Sequence, residues 1–357
     1  MSAFDAVLLI SFGGPAGLDD IRPFLANVLR GRRVPPSRIE DVAHHYELFG
    51  GVSPITAHTR RQAQGLQERL AAAGHALPVY VGMRNWHPFL ADTLKEMSQS
   101  GVRRAIGFIM AAQSSYSSCQ QYRENVRDAR VAVREAGFAD IAVTYVPGWH
   151  LHDGFIAANA AHLDTARQRM PEPLRPHARA IFTAHSIPAS MAERSRYREQ
   201  LSEGAAAVAA RAGIADWVLV YQSRSGRPED PWLAPDIGDY LRTASAEGLK
   251  AAVLCPIGFV CDHIEVLYDL DYEAAAIARE LGILVERAEA VNDDPLFLDM
   301  MAQVVLATVR RHATGRPLEV VVSDQGPGIR DQGPGSRDQG PGIRDQRTGN
   351  RDQPARP

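Results

Sequence analysis

The feature that most constrains the fold of this chain is a regular alternation of short apolar runs with amphipathic stretches of helical period. The apolar runs have the length and composition of buried β-strands, and they lie at Ala6–Phe12, Val79–Gly82, Ala105–Met110, Ile141–Val146, Ala178–Thr183, Trp217–Tyr221, Ala251–Cys255 and Gly282–Val285. Apolar strands separated by helices are typical of parallel sheets that are covered on both faces. We therefore predict an α/β fold with two doubly wound, Rossmann-like domains.

A (β/α)8 barrel is the alternative, because the same runs supply enough strands for one. The segment Asp19–Ala73 argues against a barrel, since it contains three helical stretches in succession before the second strand. We place the domain boundary within Pro147–Gly154. The expected division is an N-terminal domain at 1–148, a C-terminal domain at 149–313 and a disordered repeat tail at 314–357.

The tail is set apart by composition. From Ser323 to Pro357 the chain repeats a seven-residue unit, DQGPGIR, with little variation before it degenerates. Glycine, proline and polar residues dominate this segment, so it cannot bury enough apolar surface to offset its ordering entropy. We expect that removing it leaves folding and activity intact.

Charge and composition exclude several classes of protein. The chain carries 42 acidic and 39 basic residues for a net charge of −3, whereas a nucleic-acid-binding protein needs a basic surplus. No apolar run is long enough to span a membrane, and the N-terminal segment has no basic stretch typical of a signal peptide. The 3 cysteines are too few for a disulfide framework. We expect a cytoplasmic enzyme with no nucleic-acid partner and no integral membrane segment.

In open α/β sheets the ligand binds beyond the carboxyl ends of the strands, so the residues that follow each strand are the candidates for function. The first strand leads into Gly13-Gly14-Pro15, which lacks the glycine spacing and the lysine of nucleotide-binding loops, and we predict no bound nucleotide. The fifth strand ends at His185, and Pro188 stiffens the turn that follows. His185 is therefore a candidate functional residue.

A row of acidic residues follows the seventh strand. If this segment is helical, Glu265, Asp269 and Glu273 recur every four residues along one face, and no Lys or Arg lies between Asp262 and Ile277. Three like charges in line repel one another, and this is tolerated where cations bind or pass. One His and one Glu suit a divalent metal such as Fe(II), but they form an incomplete ligand set. We call these three residues the carboxylate row and predict that it handles metal transiently.

Motifs in the order expected of one family cover nearly all of Phe4–Arg311. They are SFGGP, HYELFGGVSPI, GMRNWHPFLADTL, SSYSSCQQYRENV, FTAHSIP, YQSRSGRPEDPWLAPDI and CPIGFVCDHIEVLYDLDYEA. On these motifs the chain resembles the ferrochelatases, most closely the soluble, coproporphyrin-using branch of Gram-positive and actinobacterial type. The resemblance implies two Rossmann-like domains around a porphyrin cleft, with Fe(II) as a substrate that is inserted into the macrocycle during haem synthesis.

The resemblance also implies roles for residues at matching positions. His185 and Glu265 match the catalytic and metal-binding pair, although which of them takes the pyrrole proton stays open. Asp269 and Glu273 match acidic residues that lead metal toward the centre. The positions that contact the porphyrin are matched by Ser53, Tyr122, His45, Tyr46 and Arg30.

One departure concerns Phe12, which stands where some relatives have a tyrosine that could ligate iron. Because phenylalanine cannot bind iron, axial ligation from this side is not expected. No Cys follows Cys261, so we predict no iron–sulfur cluster. The polar composition of Gly17–Arg33 favours the tetracarboxylate coproporphyrin III, delivered through water. The resemblance further allows transient contact with neighbouring enzymes of haem synthesis.

Three alternatives share the fold. The first is a ferrochelatase that uses protoporphyrin IX and makes protohaem. The second is a non-catalytic tetrapyrrole carrier, which would not need the carboxylate row. The third is a chelatase for cobalt or nickel, because His and Glu ligands discriminate poorly among divalent metals.

Overall fold

Two parallel four-stranded sheets form the centre of the computed structural model, which describes residues 3–31, 34–225 and 229–314. The strand orders are β2-β1-β3-β4 and β6-β5-β7-β8. The strands are β1 Ala6–Ser11, β2 Val79–Met83, β3 Arg104–Ile109, β4 Ala142–Tyr145, β5 Arg179–His185, β6 Trp217–Gln222, β7 Ala251–Cys255 and β8 Leu284–Arg287. The prediction of an α/β fold with two parallel sheets is confirmed, and the barrel alternative is wrong.

Helices cover both faces of each sheet. They are α1 Ile21–Val28, α2 Pro36–Glu47, α3 Ile55–Ala72, α4 Leu90–Gln99, α5 Gln121–Glu135, α6 Asp153–Arg169, α7 Ala189–Glu193, α8 Tyr197–Arg211, α9 Ile237–Ala246, α10 Ile264–Val266, α11 Ala275–Glu280 and α12 Pro295–Ala313. Short 3₁₀ turns lie at Leu18–Asp20 and Arg175–His177, and π-helical segments at Tyr116–Gln120 and Leu267–Ala274. No helix in the described part of the chain is both long and apolar enough to cross a membrane.

The inner strands of each sheet are largely apolar because helices pack on both sides of them. In β1, Val7 and Leu9 face the central core, while Leu8 and Ile10 face a second core beneath α4 and α5. Successive side chains of a strand point to opposite faces, so burial on both faces requires an unbroken apolar run rather than an alternating one. This is the physical reason that the strands could be located from the sequence.

One core joins the two sheets. Trp149 packs against Phe108 of β3, Phe155 of α6 and Phe297 of α12, with ring centres 5.3 to 5.8 Å apart. The described residues fall within one compact unit. The division into domains at residue 148 therefore stays a prediction, and the repeat tail, together with Arg32 and Arg33, lies outside the described residues.

Two helical segments lack the apolar periodicity of a regular surface α-helix. Helix α12 buries residues around most of its circumference, so it has no single apolar stripe by which a surface helix is identified. The helical segment before β8 is not a regular α-helix over its whole length, since α10 and the π-helix Leu267–Ala274 precede α11 without a break. The carboxylate row therefore lies mainly on a π-helix, a conformation that occurs frequently at functional sites.

Candidate active site

His185 is the last residue of β5, and its imidazole is held by the backbone. The Nδ1 atom lies 2.5 Å from the carbonyl oxygen of Ser186. A carbonyl can only accept, so Nδ1 carries a proton, and whenever the ring is neutral its lone pair lies at Nε2. That Nε2 atom lies 3.8 Å from Oε2 of Glu265, and about a third of the His185 side chain, 33%, is exposed.

Glu265 lies opposite, on α10, and 40% of its side chain is exposed. Burial of the carboxyl raises its pKa, but the nearby imidazoles of His185, His263 and His45 outweigh burial and lower the pKa to about 2. The carboxyl of Glu265 is therefore ionised while these imidazoles are protonated. The structure thus places a carboxylate beside the free ring nitrogen of His185.

His263 is a neighbour that the sequence analysis did not single out. Its Nε2 atom lies 3.5 Å from Oε2 of Glu265, and its buried Nδ1 finds no hydrogen-bond partner among the described residues. His263 directly precedes α10, and its ring packs against Phe259 at 4.9 Å. The signal that could have identified it is its position two residues before Glu265, in the same motif.

Asp269 follows Glu265 along the carboxylate row and is held by two donors. Ser223 Oγ and Gln222 Nε2 both donate to Asp269 Oδ2, the latter at 3.2 Å. Burial raises the pKa of Asp269 to about 7, and the charges of Glu265 and Glu273 add to this, although the two hydrogen bonds oppose it. Asp269 therefore changes charge near neutral pH.

Glu273 is the outermost member of the row, and beside it lies a cavity of about 660 Å³. Asp269 and Glu273 line this cavity, whereas His185 and Glu265 are not among its lining residues. Burial and the charge of Asp236 raise the pKa of Glu273. The row thus leads from this cavity toward the inner pair.

The carboxylate row has no basic residue next to it in the sequence, but basic residues from other elements lie near it in the fold. Arg38 of α2 and Arg242 of α9 line the same cavity, and their positive charges partly offset the rise in the pKa of Glu273. The outer end of the row is therefore flanked by guanidinium groups supplied by other elements. Sequence proximity could not reveal them.

Ser53, expected to contact porphyrin, is buried near the end of β1, with 6% of its surface exposed. Its N–H donates to the carbonyl of Pro15 at 2.9 Å. A Cβ at Gly14 would lie 2.5 Å from the Cβ of Ser53, so only glycine allows the two segments to approach this closely. The second glycine of the turn after β1 therefore has a packing role.

Tyr122 lies in the first turn of α5 and is buried. Burial raises the pKa of its phenol, so the hydroxyl stays neutral. The Arg84 guanidinium lies 5.7 Å from the Tyr122 ring centre and 6.0 Å from that of Phe12, within the range of cation–π interactions. Arg84 was not identified from the sequence, and it joins Phe12 and Tyr122 in one group at the strand ends.

The three remaining predicted contacts do not form one group. The His45 ring stacks on Tyr268 of the π-helix, with centres 3.5 Å apart and planes inclined by 11°. Tyr46 is buried in a cluster with Ile264, beside Glu265 in the chain. Arg30 is exposed, and its Nη2 donates to Asn27 Oδ1 at 2.7 Å, so its described contact is with α1 rather than with His45 or Tyr46.

The described residues contain no group of three or more His, Cys, Asp or Glu side chains arranged to hold a metal ion. Cys119 is partly exposed, while Cys255 and Cys261 are buried, and all three are unbridged. Burial raises the pKa of the Cys255 thiol to about 12, so it stays protonated.

Two solved structures of sirohydrochlorin chelatases have a fold similar to that of this chain. The sirohydrochlorin chelatase of Bacillus subtilis subspecies spizizenii, solved with cobalt, is similar with a TM-score of 0.51 and 9% identity, over 88% of this chain and 99% of that one. The same protein from Bacillus subtilis with Fe3+ gives a TM-score of 0.53 and 10% identity, over the same shares. At this identity the likeness concerns the fold alone.

Sequence comparison is more specific. The chain is 47% identical over 304 residues to a ferrochelatase of Rhodopirellula baltica, covering 85% of each chain. It is 45% identical over 331 residues to the coproporphyrin III ferrochelatase of Streptomyces griseus, covering 88% of each. It is 44% identical over 306 residues to that of Mycolicibacterium smegmatis, covering 85% of this chain and 89% of the relative. The profile of the Ferrochelatase family matches residues 4–309, and this chain belongs to that family.

Proposed function

We propose that this protein inserts Fe(II) into coproporphyrin III to form Fe-coproporphyrin III in haem biosynthesis. The observation that carries the proposal is the pair formed by His185 and Glu265, with a free imidazole nitrogen facing a carboxylate at 3.8 Å. Membership of the ferrochelatase family supports the reaction, and the names of the relatives support coproporphyrin III as the substrate.

In this mechanism His185 is the base. Insertion removes two pyrrole protons from the macrocycle, and the Nε2 lone pair of His185 accepts them one after the other. The Ser186 carbonyl fixes the ring so that this lone pair faces the cleft. The Glu265 carboxylate stabilises the imidazolium that forms, and the exposed side of the ring returns each proton to water.

The carboxylate row brings the metal. Fe(II) enters through the cavity beside Glu273, exchanges water for carboxylate oxygens at Asp269, and reaches Glu265 at the inner end. Carboxylates and one imidazole bind a first-row divalent ion without closing its coordination shell, so the ion can be passed on to the pyrrole nitrogens.

The opposite side of the cleft holds the porphyrin. Ser53 and Tyr122 supply neutral hydroxyl donors for propionate oxygens, and His45 and Tyr46 of α2 and Arg30 after α1 are further proposed contacts at separate places. Arg84 beside Tyr122 adds positive charge on the same side. Phe12 presents an apolar face to the product, so no axial ligand comes from that position.

We further propose that the enzyme acts in the cytoplasm, without an iron–sulfur cluster or a bound nucleotide, and with transient contacts to neighbouring enzymes of haem synthesis. The buried, protonated state of Cys255 and Cys261 supports the absence of an iron–sulfur cluster, because cluster ligation requires thiolates. The close packing of Gly14 on Ser53 supports the absence of a bound nucleotide.

The test is anaerobic incubation of the protein with Fe(II) and either coproporphyrin III or protoporphyrin IX, followed by absorbance under matched detergent conditions. We expect faster metallation of coproporphyrin III. Faster turnover of protoporphyrin IX would establish the protohaem alternative, and tight porphyrin binding without turnover would indicate a carrier. Turnover with Co(II) or Ni(II) but not with Fe(II) would indicate a different chelatase.

A further inference from the structure

Gln222 is a fully buried polar residue, with 0% of its surface exposed, at the end of β6. It pairs in register with His185 of β5, and its carbonyl accepts a hydrogen bond from the N–H of Ser186 at 2.8 Å. Ser186 is the residue whose own carbonyl holds the His185 ring. The Gln222 backbone is thus part of the support of the proposed base.

The side chain of Gln222 reaches the other two members of the site. Its Nε2 donates to the backbone carbonyl of Glu265 at 3.1 Å and to Oδ2 of Asp269 at 3.2 Å. These partners lie 43 and 47 positions further along the chain. Gln222 therefore connects the end of β5 through its backbone with the inner carboxylate segment and the middle of the carboxylate row through its side chain.

Ser223 adds a second donor to the same carboxylate oxygen. Successive side chains of a strand point in opposite directions, so Gln222 and Ser223 could not both reach Asp269 Oδ2 from an extended backbone. Ser223 has a φ of 60°, in the left-handed region, and its Oγ donates to Asp269. This conformation is unfavourable for a residue other than glycine, and such strain is characteristic of functional sites.

We propose that Gln222, assisted by Ser223, is a positioning residue that holds the Asp269 carboxylate in line with Glu265 and His185 for transfer of the metal. This inference rests on the proposed function, in which Asp269 receives Fe(II) before Glu265 does. Asp269 lies between two like-charged neighbours, and without its donors the carboxylate would rotate away from Glu265. Loss of the donors should therefore weaken the metal step and leave porphyrin binding unchanged.

The experiment compares wild type with Gln222→Met, which keeps the length of the side chain and removes its donor. We expect the KM for Fe(II) to rise about fivefold, while kcat and the Kd for coproporphyrin III stay within about twofold. Gln62→Met is the matched control. Gln62 is equally buried, and its side chain donates to the carbonyls of Val260 and Asn292 instead of to Asp269. The control should leave the KM for Fe(II) unchanged.

A double-mutant cycle tests whether Gln222 acts through Asp269. In an Asp269→Ala background, Gln222→Met should change the KM for Fe(II) by less than about 1.5-fold. A full fivefold effect in that background, or an unchanged KM in the single variant, would overturn the inference. If Gln222→Met does not fold, Ser223→Ala removes the other donor and is held to the same two criteria.

The two proposals fail in different ways. If wild type does not metallate any porphyrin, the proposed function fails before Gln222 is tested. If wild type metallates coproporphyrin III and Gln222→Met has wild-type kinetics, the positioning role alone is wrong.

Discussion

The two sheets have the same strand order, but the residues at their carboxyl ends differ in kind. Beyond the N-terminal sheet lie a glycine turn, hydroxyl groups and the guanidinium of Arg84 against aromatic rings. Beyond the C-terminal sheet lie His185, Glu265 and the rest of the carboxylate row. In the proposed function, the same topology serves two purposes, because one half contacts the porphyrin and the other carries protons and metal.

The two sheets show that topology determines where a site forms, whereas side chains determine what the site does. Parallel strands place their carboxyl ends at one edge, and this provides a cleft in either half. Neutral donors and aromatic faces suit propionates and a macrocycle, whereas titratable groups close together have altered pKa values and can exchange protons. Four predictions test whether the two halves are separable in this way.

The largest effect is expected on the C-terminal side. His185→Ala removes the proposed base, and we expect kcat to fall at least about 1,000-fold, within the range that general bases contribute. Coproporphyrin III should still bind, as measured by quenching of porphyrin fluorescence, because its proposed contacts Ser53 and Tyr122 lie on the N-terminal side. Glu265→Gln should behave alike, and an active His185→Ala would refute the mechanism.

The second prediction concerns the N-terminal side. Tyr122→Phe removes one hydroxyl while keeping the ring beneath Arg84, and we expect the Kd for coproporphyrin III to rise about tenfold, the effect of about 1.4 kcal/mol. The kcat at saturating porphyrin should change less than about twofold. Titration of porphyrin fluorescence and steady-state kinetics measure the two quantities. A collapse of kcat with unchanged Kd would place Tyr122 in the reacting centre, and the two halves would then not have separate roles.

The third prediction uses the charge of Asp269. Because its pKa is raised to about 7, lowering the pH from 8 to 6 protonates this carboxyl, and the KM for Fe(II) should rise as the pH falls. Asp269→Asn should raise that KM about fivefold at pH 8, equivalent to about 1 kcal/mol of lost attraction, and flatten its pH dependence. Glu273→Gln should have a smaller effect, because Arg38 and Arg242 already weaken its attraction for cations. A steep pH dependence that persists in Asp269→Asn would contradict the assignment.

The smallest effect is on stability. The pKa of Asp269 is raised in the folded protein above its ordinary value of 3.8. Its favourable contribution to the free energy of unfolding is therefore complete below pH 3.8 and is lost as the pH rises through about 7. Asp269→Asn should therefore raise Tm at pH 8 by about 2 °C and raise it less at pH 5. Thermal unfolding at both pH values measures this. A variant that is less stable at pH 8 would show that the carboxylate stabilises the fold.

Much of the fold was predictable because the signals are local. Every apolar run predicted as a strand overlaps a strand of the structure, since burial on both faces leaves a continuous apolar segment. The rule that ligands bind at strand ends identifies His185 as a candidate from the sequence alone. Helix α12 was not predicted, because a helix buried around most of its circumference loses the periodicity by which it would be identified.

By itself, the sequence determined the α/β class, the positions of the strands and the residues that carry the family resemblance. Only the tertiary structure decided which groups surround them. Gln222 and Asp269, which are 47 positions apart, meet because β6 ends beside the π-helix. Arg38 and Arg242 reach Glu273 from separate helices, and His263 turns its Nε2 toward Glu265. The physical reason is that periodicity and turn chemistry act between neighbours in the chain, whereas charge states and hydrogen bonds depend on which distant segments pack together.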